Sequence, residues 1–171
     1  MRSIVGFGFV VVITALSTGS GASAPSELMN KSVSVSYTVA IPARGADGSI
    51  VPGVRNATRT YYISSAGRVF ARVSRRDGRQ SETKEAGPGE NTLHFEGAKL
   101  VGVMKFISGA AQMVVTFGQG GQSCDASIIV GRDSGKTLKW KGVNGMTYEA
   151  TGAPSVSNVS CSIRAGNAFA E

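Results

Sequence analysis

Apolar and small polar residues alternate strictly between positions 33 and 41, and this pattern restricts the fold more than any other feature of the chain. The apolar members fall on one side of an extended segment and are Val33, Val35, Tyr37, Val39 and Ile41. A period of two residues indicates a β-strand with one buried face. We expect the strand to end at Pro42, which has no N–H for a ladder, and residues 44–53 to form a Gly/Pro loop.

The composition after residue 24 favours strands throughout the chain. This part holds 15 Val and 7 Ile against 4 Leu. Branched side chains of this kind pack well on a pleated sheet and lose rotamer freedom in helices. Glycine, at 23 of 171 residues, is frequent enough to supply many tight turns. An all-helical fold is therefore excluded.

Short apolar segments separated by glycine-containing turns predict further strands. They span residues 58–64, 67–74, 93–95, 99–107, 111–117, 123–130, 138–143, 146–151 and 159–163. Asn144-Gly145 predicts a hairpin, because both residues tolerate the positive φ of a type I′ turn. Residues 77–91 are polar and predict a mobile loop. The predicted fold is all-β, an antiparallel sandwich or small barrel of about eight strands.

Residues 1–24 have the three parts of a secretory signal peptide. A positive charge near the start precedes an apolar core from Ile4 to Leu16, and a small-residue cleavage site ends at Ala24. The core is short for a permanent membrane span, although a retained anchor is the alternative. We expect cleavage to leave residues 25–171 as a single domain that is secreted or periplasmic.

Two cysteines, Cys124 and Cys161, each fall on the apolar side of a predicted strand. An even number of cysteines in an exported chain favours a disulfide. We therefore predict a buried bridge between these two strands, with a pair of buried thiols as the alternative.

Motifs for nucleotide and metal chemistry are incomplete. The stretch from Gly131 to Thr137 partly matches a phosphate-binding loop, but its first glycine stands one position too late for the GxxxxGK(S/T) spacing. His94 is the sole histidine, and one histidine beside two bridged cysteines does not supply a tetrahedral zinc site. The sequence thus indicates no cofactor, no metal and no catalytic residue set.

Positive charge is concentrated between residues 55 and 79. This segment has seven arginines against the single acid Asp77, in a chain with a formal net charge of +7. Arginine is suited to bidentate contact with phosphate, sulfate or carboxylate groups. The candidate anion-binding residues are Arg59, Arg68, Arg72, Arg75 and Arg76, with Tyr61 and Phe70.

A hairpin within this segment suggests how those side chains are arranged. A two-residue turn at positions 65–66 places Tyr61 opposite Phe70. The same register places Arg59 opposite Arg72, a pairing that is unfavourable unless an anion or water lies between the two charges. The aromatic pair would then form a floor beside a cationic rim.

These observations favour an exported, non-enzymatic binding or envelope-associated protein. Its anionic partner would be a polysaccharide, a lipid head group or a nucleic acid. A solvated basic face that only promotes solubility is the alternative interpretation of the charge. The alternative functions are a small secreted hydrolase, in which His94 and Glu96 meet at a sheet mouth, and a small-ligand carrier.

Overall fold

The computed structural model describes residues 23–73, 82–85, 93–106, 109–133, 139–142 and 144–170. These residues form antiparallel strands and two short 3-10 segments, so the predicted all-β class is confirmed. Within the described part of the chain, no helix is long and apolar enough to cross a membrane.

Eleven strands are present in these ranges, against the eight or so that the sequence predicts. In chain order they are β1 (Lys31–Gly45), β2 (Ile50–Ile63), β3 (Val69–Val73), β4 (Glu82–Glu85), β5 (Leu93–Glu96), β6 (Lys99–Phe106), β7 (Gly109–Phe117), β8 (Cys124–Asp133), β9 (Lys139–Lys141), β10 (Thr147–Ala150) and β11 (Ser155–Ala165). The 3-10 segments are Ser26–Leu28 and Gln119–Gly121.

The strands form two sheets. Seven strands make the larger sheet, in the order β4-β3-β2-β1-β10-β9, with β11 also paired to β1. Strand β1 therefore meets β2 along one edge, and meets β11 and then β10 along the other. The smaller sheet is the meander β5-β6-β7-β8, as expected for neighbouring strands joined by short turns.

Buried side chains of both sheets belong to one hydrophobic cluster. The larger sheet contributes Val33, Val35, Tyr37, Tyr61, Ile63 and Val69, and the smaller contributes Phe95, Leu100, Ala111, Met113 and Val115. The Tyr61 hydroxyl donates a hydrogen bond to Met113 Sδ at 3.5 Å, which connects the sheets through the cluster. We call the side of the larger sheet that carries these residues its inner face, and the opposite side its outer face.

The predicted disulfide is confirmed. Cys124 on β8 is bonded to Cys161 on β11, with their Cα atoms 5.7 Å apart. The residues flanking each cysteine are exposed while the cysteines themselves are half-buried, as the alternation predicted. The bond therefore joins the smaller sheet to the larger one.

The expected end of the first strand at Pro42 and the expected loop at residues 44–53 are wrong. Strand β1 continues through Pro42, which lies opposite Pro52 on β2. The Gly45 N–H donates to the Ser49 carbonyl, so alternation along the ladder makes the proline pair a non-hydrogen-bonded one. Pro42 also lies between the stretches of β1 that pair with β11 and β10, so neither neighbour requires its missing N–H.

Three hairpins use the same turn. Each is a three-residue loop in which a glycine amide donates to the carbonyl three residues before it, at 2.9–3.0 Å. These glycines are Gly48, Gly67 and Gly145, with φ of 82°, 72° and 77°. A third loop residue in the left-handed region is typical of such hairpins. The Asn144-Gly145 hairpin is therefore present, with a three-residue loop instead of the two-residue one.

Part of the expected loop at residues 77–91 is a strand. Glu82–Glu85 forms β4 and pairs with β3, while the remainder of that range lies outside the described residues. The sequence does not indicate β4, because its residues are polar and carry no apolar alternation. A short, charged strand is a common way to finish the edge of a sheet.

Candidate anion-binding face

The register of the arginine-rich hairpin differs from the predicted one by a single residue. Tyr61 faces Ala71, and it is Tyr62 that lies opposite Phe70. The predicted pairs Tyr61 with Phe70 and Arg59 with Arg72 are therefore wrong. The cause is Gly67, whose positive φ admits a third residue into the turn.

This shift places the candidate residues on two different faces. Tyr61 is only 3% exposed and lies on the inner face, in the hydrophobic cluster. Arg59 shares that face, and its Nε donates to the Tyr37 hydroxyl at 3.2 Å in a partly buried contact. A side-chain period of two then places Tyr62, Arg68 and Phe70 on the outer face. The expected single aromatic floor with its cationic rim does not form.

The outer face of the hairpin carries a compact group that we call the Arg68 cluster, made of Tyr62, Arg68 and Phe70. The guanidinium carbon of Arg68 lies 5.6 Å from the centre of the Phe70 ring. Phe70 and Tyr62 have ring centres 6.3 Å apart. Such a cation over an aromatic ring contributes about 0.5–1 kcal/mol at an exposed site and holds the guanidinium in one place.

Arg68 is also paired with Glu85 on β4. The Nη1 to Oε2 distance is 3.3 Å, and the Arg68 side chain remains 60% exposed. An exposed pair of this kind contributes at most about 1 kcal/mol, so an incoming anion can compete with Glu85 for the guanidinium. The fork of the side chain still faces solvent.

The other predicted arginines, Arg72, Arg75 and Arg76, are not part of the Arg68 cluster as defined. Arg72 belongs to β3, where it pairs with Thr83 of β4. Arg75 and Arg76 lie outside the described residues. The structure thus brings Arg68 and Phe70 together with Tyr62, and it separates Arg59 and Tyr61 from them.

Beside the Arg68 cluster, the outer face carries three rows of hydroxyl and amide side chains, which we call the hydroxyl rows. Each row crosses β2, β1 and β11. The rows are Thr60, Ser34 and Ser162; Thr58, Ser36 and Ser160; and Asn56, Thr38 and Ser157. None of these positions holds an acidic, basic or large apolar residue.

Hydrogen bonds across the strands order these rows. Ser34 and Thr60 have hydroxyl oxygens 3.1 Å apart, and those of Ser36 and Thr58 are 2.9 Å apart. Thr38 donates to the Asn56 Oδ1 at 2.9 Å. A hydroxyl has one donor and two acceptor positions, so each paired hydroxyl retains capacity for a further partner. Alternation in the sequence places Ser34, Ser36 and Thr38 on one side of β1. Their partners on β2 and β11 depend on the strand register, which alternation does not give.

The C-terminal segment borders the hydroxyl rows at their Arg68 end. Ser32, one row beyond Ser34, is fully buried, donates to the Gly166 carbonyl at 2.7 Å and accepts from the Ala168 amide at 2.9 Å. Arg164 lies opposite Ser32 on β11 and is exposed. Arg68 and Arg164 therefore both lie at this end of the face.

His94 and Glu96, the pair considered for a hydrolase, do meet. The His94 Nε2 and Glu96 Oε1 atoms are 2.7 Å apart on β5, an edge strand of the smaller sheet, and both side chains are exposed. An open cleft of about 500 Å³ lies elsewhere, between β1, β9 and β10. Its lining includes Arg44, Lys139 and Glu149, and the last two form an exposed ion pair at 3.2 Å.

Burial changes the pKa of the tyrosine that lies close to Arg59 on the inner face. It raises the pKa of Tyr61 to about 12, and the positive charge of Arg59 opposes this shift only in part. The phenol is therefore neutral at physiological pH, and it donates to the Met113 sulfur in that form. The inner face of the hairpin thus serves packing.

Comparison with known proteins gives no relative for this arrangement: no protein-family model, no curated protein and no solved structure matches the chain. The chemistry of the two faces of the larger sheet is therefore the basis for assigning a function.

Proposed function

We propose that this protein is an exported, non-enzymatic binding module that contacts a polyanion through the outer face of its arginine-rich hairpin. The observation that carries the proposal is the placement of Arg68 over Phe70, with Tyr62 beside it, on an exposed face. A fixed guanidinium can bind a phosphate, sulfate or carboxylate with a smaller loss of side-chain entropy than a mobile one.

Export is part of the same proposal. Residues 1–24 would direct secretion and be removed, and a disulfide such as Cys124–Cys161 persists in an oxidising compartment. The two sheets that share one cluster would form a β-sandwich, which is the finer architecture we propose. The arginine-rich hairpin would then lie on the outside of that sandwich.

A binding role accounts for more of the structure than hydrolysis does. The His94 and Glu96 pair is exposed at a sheet edge, and the 500 Å³ cleft is lined by other residues. A general base needs a substrate held within hydrogen-bond reach, which a cleft provides more readily than an exposed edge. The Arg68 cluster needs no cleft, because a polymer can bind along an open face.

Heparin affinity chromatography of the mature chain tests the proposal. Arg68→Gln removes the charge of the Arg68 cluster, and Arg55→Gln is the matched control because Arg55 is an exposed arginine of β2 on the inner-face side. We expect Arg68→Gln to elute at lower salt than wild type and Arg55→Gln to elute close to it. Phe70→Ala should also elute early, because the ring no longer supports the guanidinium.

Two results would contradict the proposal. One is identical elution of wild type and Arg68→Gln. The other is equal early elution of Arg68→Gln and Arg55→Gln, which would indicate that only net charge matters. Circular dichroism of each variant checks that the sheet content is unchanged.

A further inference from the structure

We infer that the partner of the outer face is an anionic polysaccharide, whose charged group meets the Arg68 cluster while its sugar hydroxyls bind along the hydroxyl rows. This inference rests on the proposed function and assigns the chemical class of the polyanion. The same face that holds Arg68 continues into the hydroxyl rows without a break in strand pairing.

The geometry of the rows suits an extended, hydroxyl-rich chain. Strands lie about 4.8 Å apart and successive rows about 7 Å apart, so three rows across three strands present polar groups over about 10 Å by 14 Å. The paired hydroxyls of Ser36 and Thr58 lie in the middle row, and each keeps unused hydrogen-bonding capacity. A sugar polymer offers donors and acceptors at a comparable density.

Charge placement separates a polysaccharide from a nucleic acid. Nucleic acids carry a phosphate at every unit, and their binding sites follow the backbone with Lys and Arg side chains. On this face the described cations Arg68 and Arg164 lie at one end, Arg44 and Lys139 lie at the other, and the three rows between them hold neither acids nor bases. A polymer whose units carry free hydroxyls beside each charge, as those of an anionic polysaccharide do, matches that distribution.

A lipid surface would use different residues. Ile50 and Val54 are 70% and 61% exposed towards the far end of the β1–β2 hairpin, and they are apolar side chains of the kind that a membrane contacts. The Arg68 cluster lies at the other end of β2, with the hydroxyl rows between. Anionic vesicles are therefore a separate arm of the experiment.

Calorimetric titration of the mature, disulfide-bonded chain distinguishes these partners. The probes are an oligogalacturonate of defined length, a single-stranded oligo-dT and phosphatidylglycerol vesicles. The variant Ser36→Ala/Thr58→Val removes two of the three middle-row hydroxyls with little change in shape. Its control, Thr116→Val/Ser127→Ala, removes the same groups from exposed positions on the smaller sheet.

We expect oligogalacturonate to bind wild type more tightly than the other two probes. The middle-row variant should bind it about tenfold more weakly, a loss of about 1.4 kcal/mol, because the hydrogen bonds from the two removed hydroxyls to the sugar are lost. The control should bind as wild type does. Thermal unfolding of both double variants confirms that each remains folded.

The outcomes separate this inference from the proposed function. If Arg68→Gln weakens oligogalacturonate binding and the middle-row variant does not, the polyanion site stands and the polysaccharide assignment fails. Tighter binding of oligo-dT or vesicles than of oligogalacturonate also overturns the assignment. If Arg68→Gln changes the binding of no probe, or no probe binds, the proposed function itself fails.

Discussion

Tyr61 and Tyr62 are adjacent in the chain and point to opposite faces of β2. The Tyr61 hydroxyl donates to Met113 Sδ in the hydrophobic cluster, whereas the Tyr62 hydroxyl donates to Asn30 Oδ1 at 3.3 Å in an exposed contact. This division assigns packing to one side of the hairpin and leaves the other side for the proposed binding.

Truncating the two tyrosines should therefore have different effects. Tyr61→Ala removes a ring that is 3% exposed and should lower the free energy of unfolding by about 3–5 kcal/mol. Tyr62→Ala should cost about 1 kcal/mol, since it loses only the contact with Phe70 and the exposed hydrogen bond. Urea unfolding followed by circular dichroism measures both values, and similar losses in the two variants would contradict the register.

Stability should depend on Tyr61 at alkaline pH. Its pKa is raised from 10.0 to about 12 by burial, so the unfolded chain releases this proton at lower pH than the folded protein does. The contribution of this proton to the free energy of unfolding is fully present below pH 10. It is lost as the pH rises towards 12, a change of about 3 kcal/mol.

Tyr61→Phe provides the comparison for that effect, because phenylalanine keeps the ring and does not titrate. Between pH 9 and pH 12 the wild type should lose more unfolding free energy than the variant. Parallel loss in the two proteins, measured by urea unfolding at several pH values, would show that another group is responsible.

The disulfide should contribute substantially to stability. It closes a loop with a sequence separation of 37, for which the chain-entropy model gives about 4 kcal/mol. We expect the free energy of unfolding of the Cys124→Ala/Cys161→Ala variant, measured by urea unfolding, to be lower than that of the oxidised protein by about 4 kcal/mol. Thiol titration of the denatured, non-reduced protein should find no free sulfhydryl from these two residues, and two titratable thiols would contradict the bond.

The three-residue turns can be tested at Gly145. Its φ is 77° and an added Cβ would meet no atom within 4 Å, so substitution affects backbone conformation alone. Gly145→Ala should cost about 1–2 kcal/mol, and Gly145→Asn should cost less because asparagine enters the left-handed region more readily. Equal costs by thermal or urea unfolding would argue against this turn geometry.

The sequence predicts the kind of fold well because its signals are local. Alternation from Val33 onwards, β-branched composition and Asn144-Gly145 each depend on a few neighbouring residues, and all three indicate strands that the structure contains. The pairing of Cys124 with Cys161 can also be predicted from the sequence, because the chain has two cysteines.

Register and the site were harder to predict, because each depends on contacts between distant strands. One extra turn residue at Gly67 places Phe70 opposite Tyr62 instead of Tyr61, and residue propensities do not distinguish a two-residue from a three-residue loop there. The hydroxyl rows need the exact pairing of β1 with both β2 and β11, as at Ser36 and Thr58. Such alignment is set by the whole sheet.

An NMR titration of the isotopically labelled mature chain with a heparin-derived hexasaccharide tests whether the outer face of the hairpin binds a polyanion. We expect the ring resonances of Tyr62 and Phe70 and the Nε–H resonance of Arg68 to shift with the added sugar, while those of Tyr37 and Tyr61 stay constant. Shifts centred on Tyr37 and Arg59, or an unchanged spectrum at saturating sugar, would contradict it.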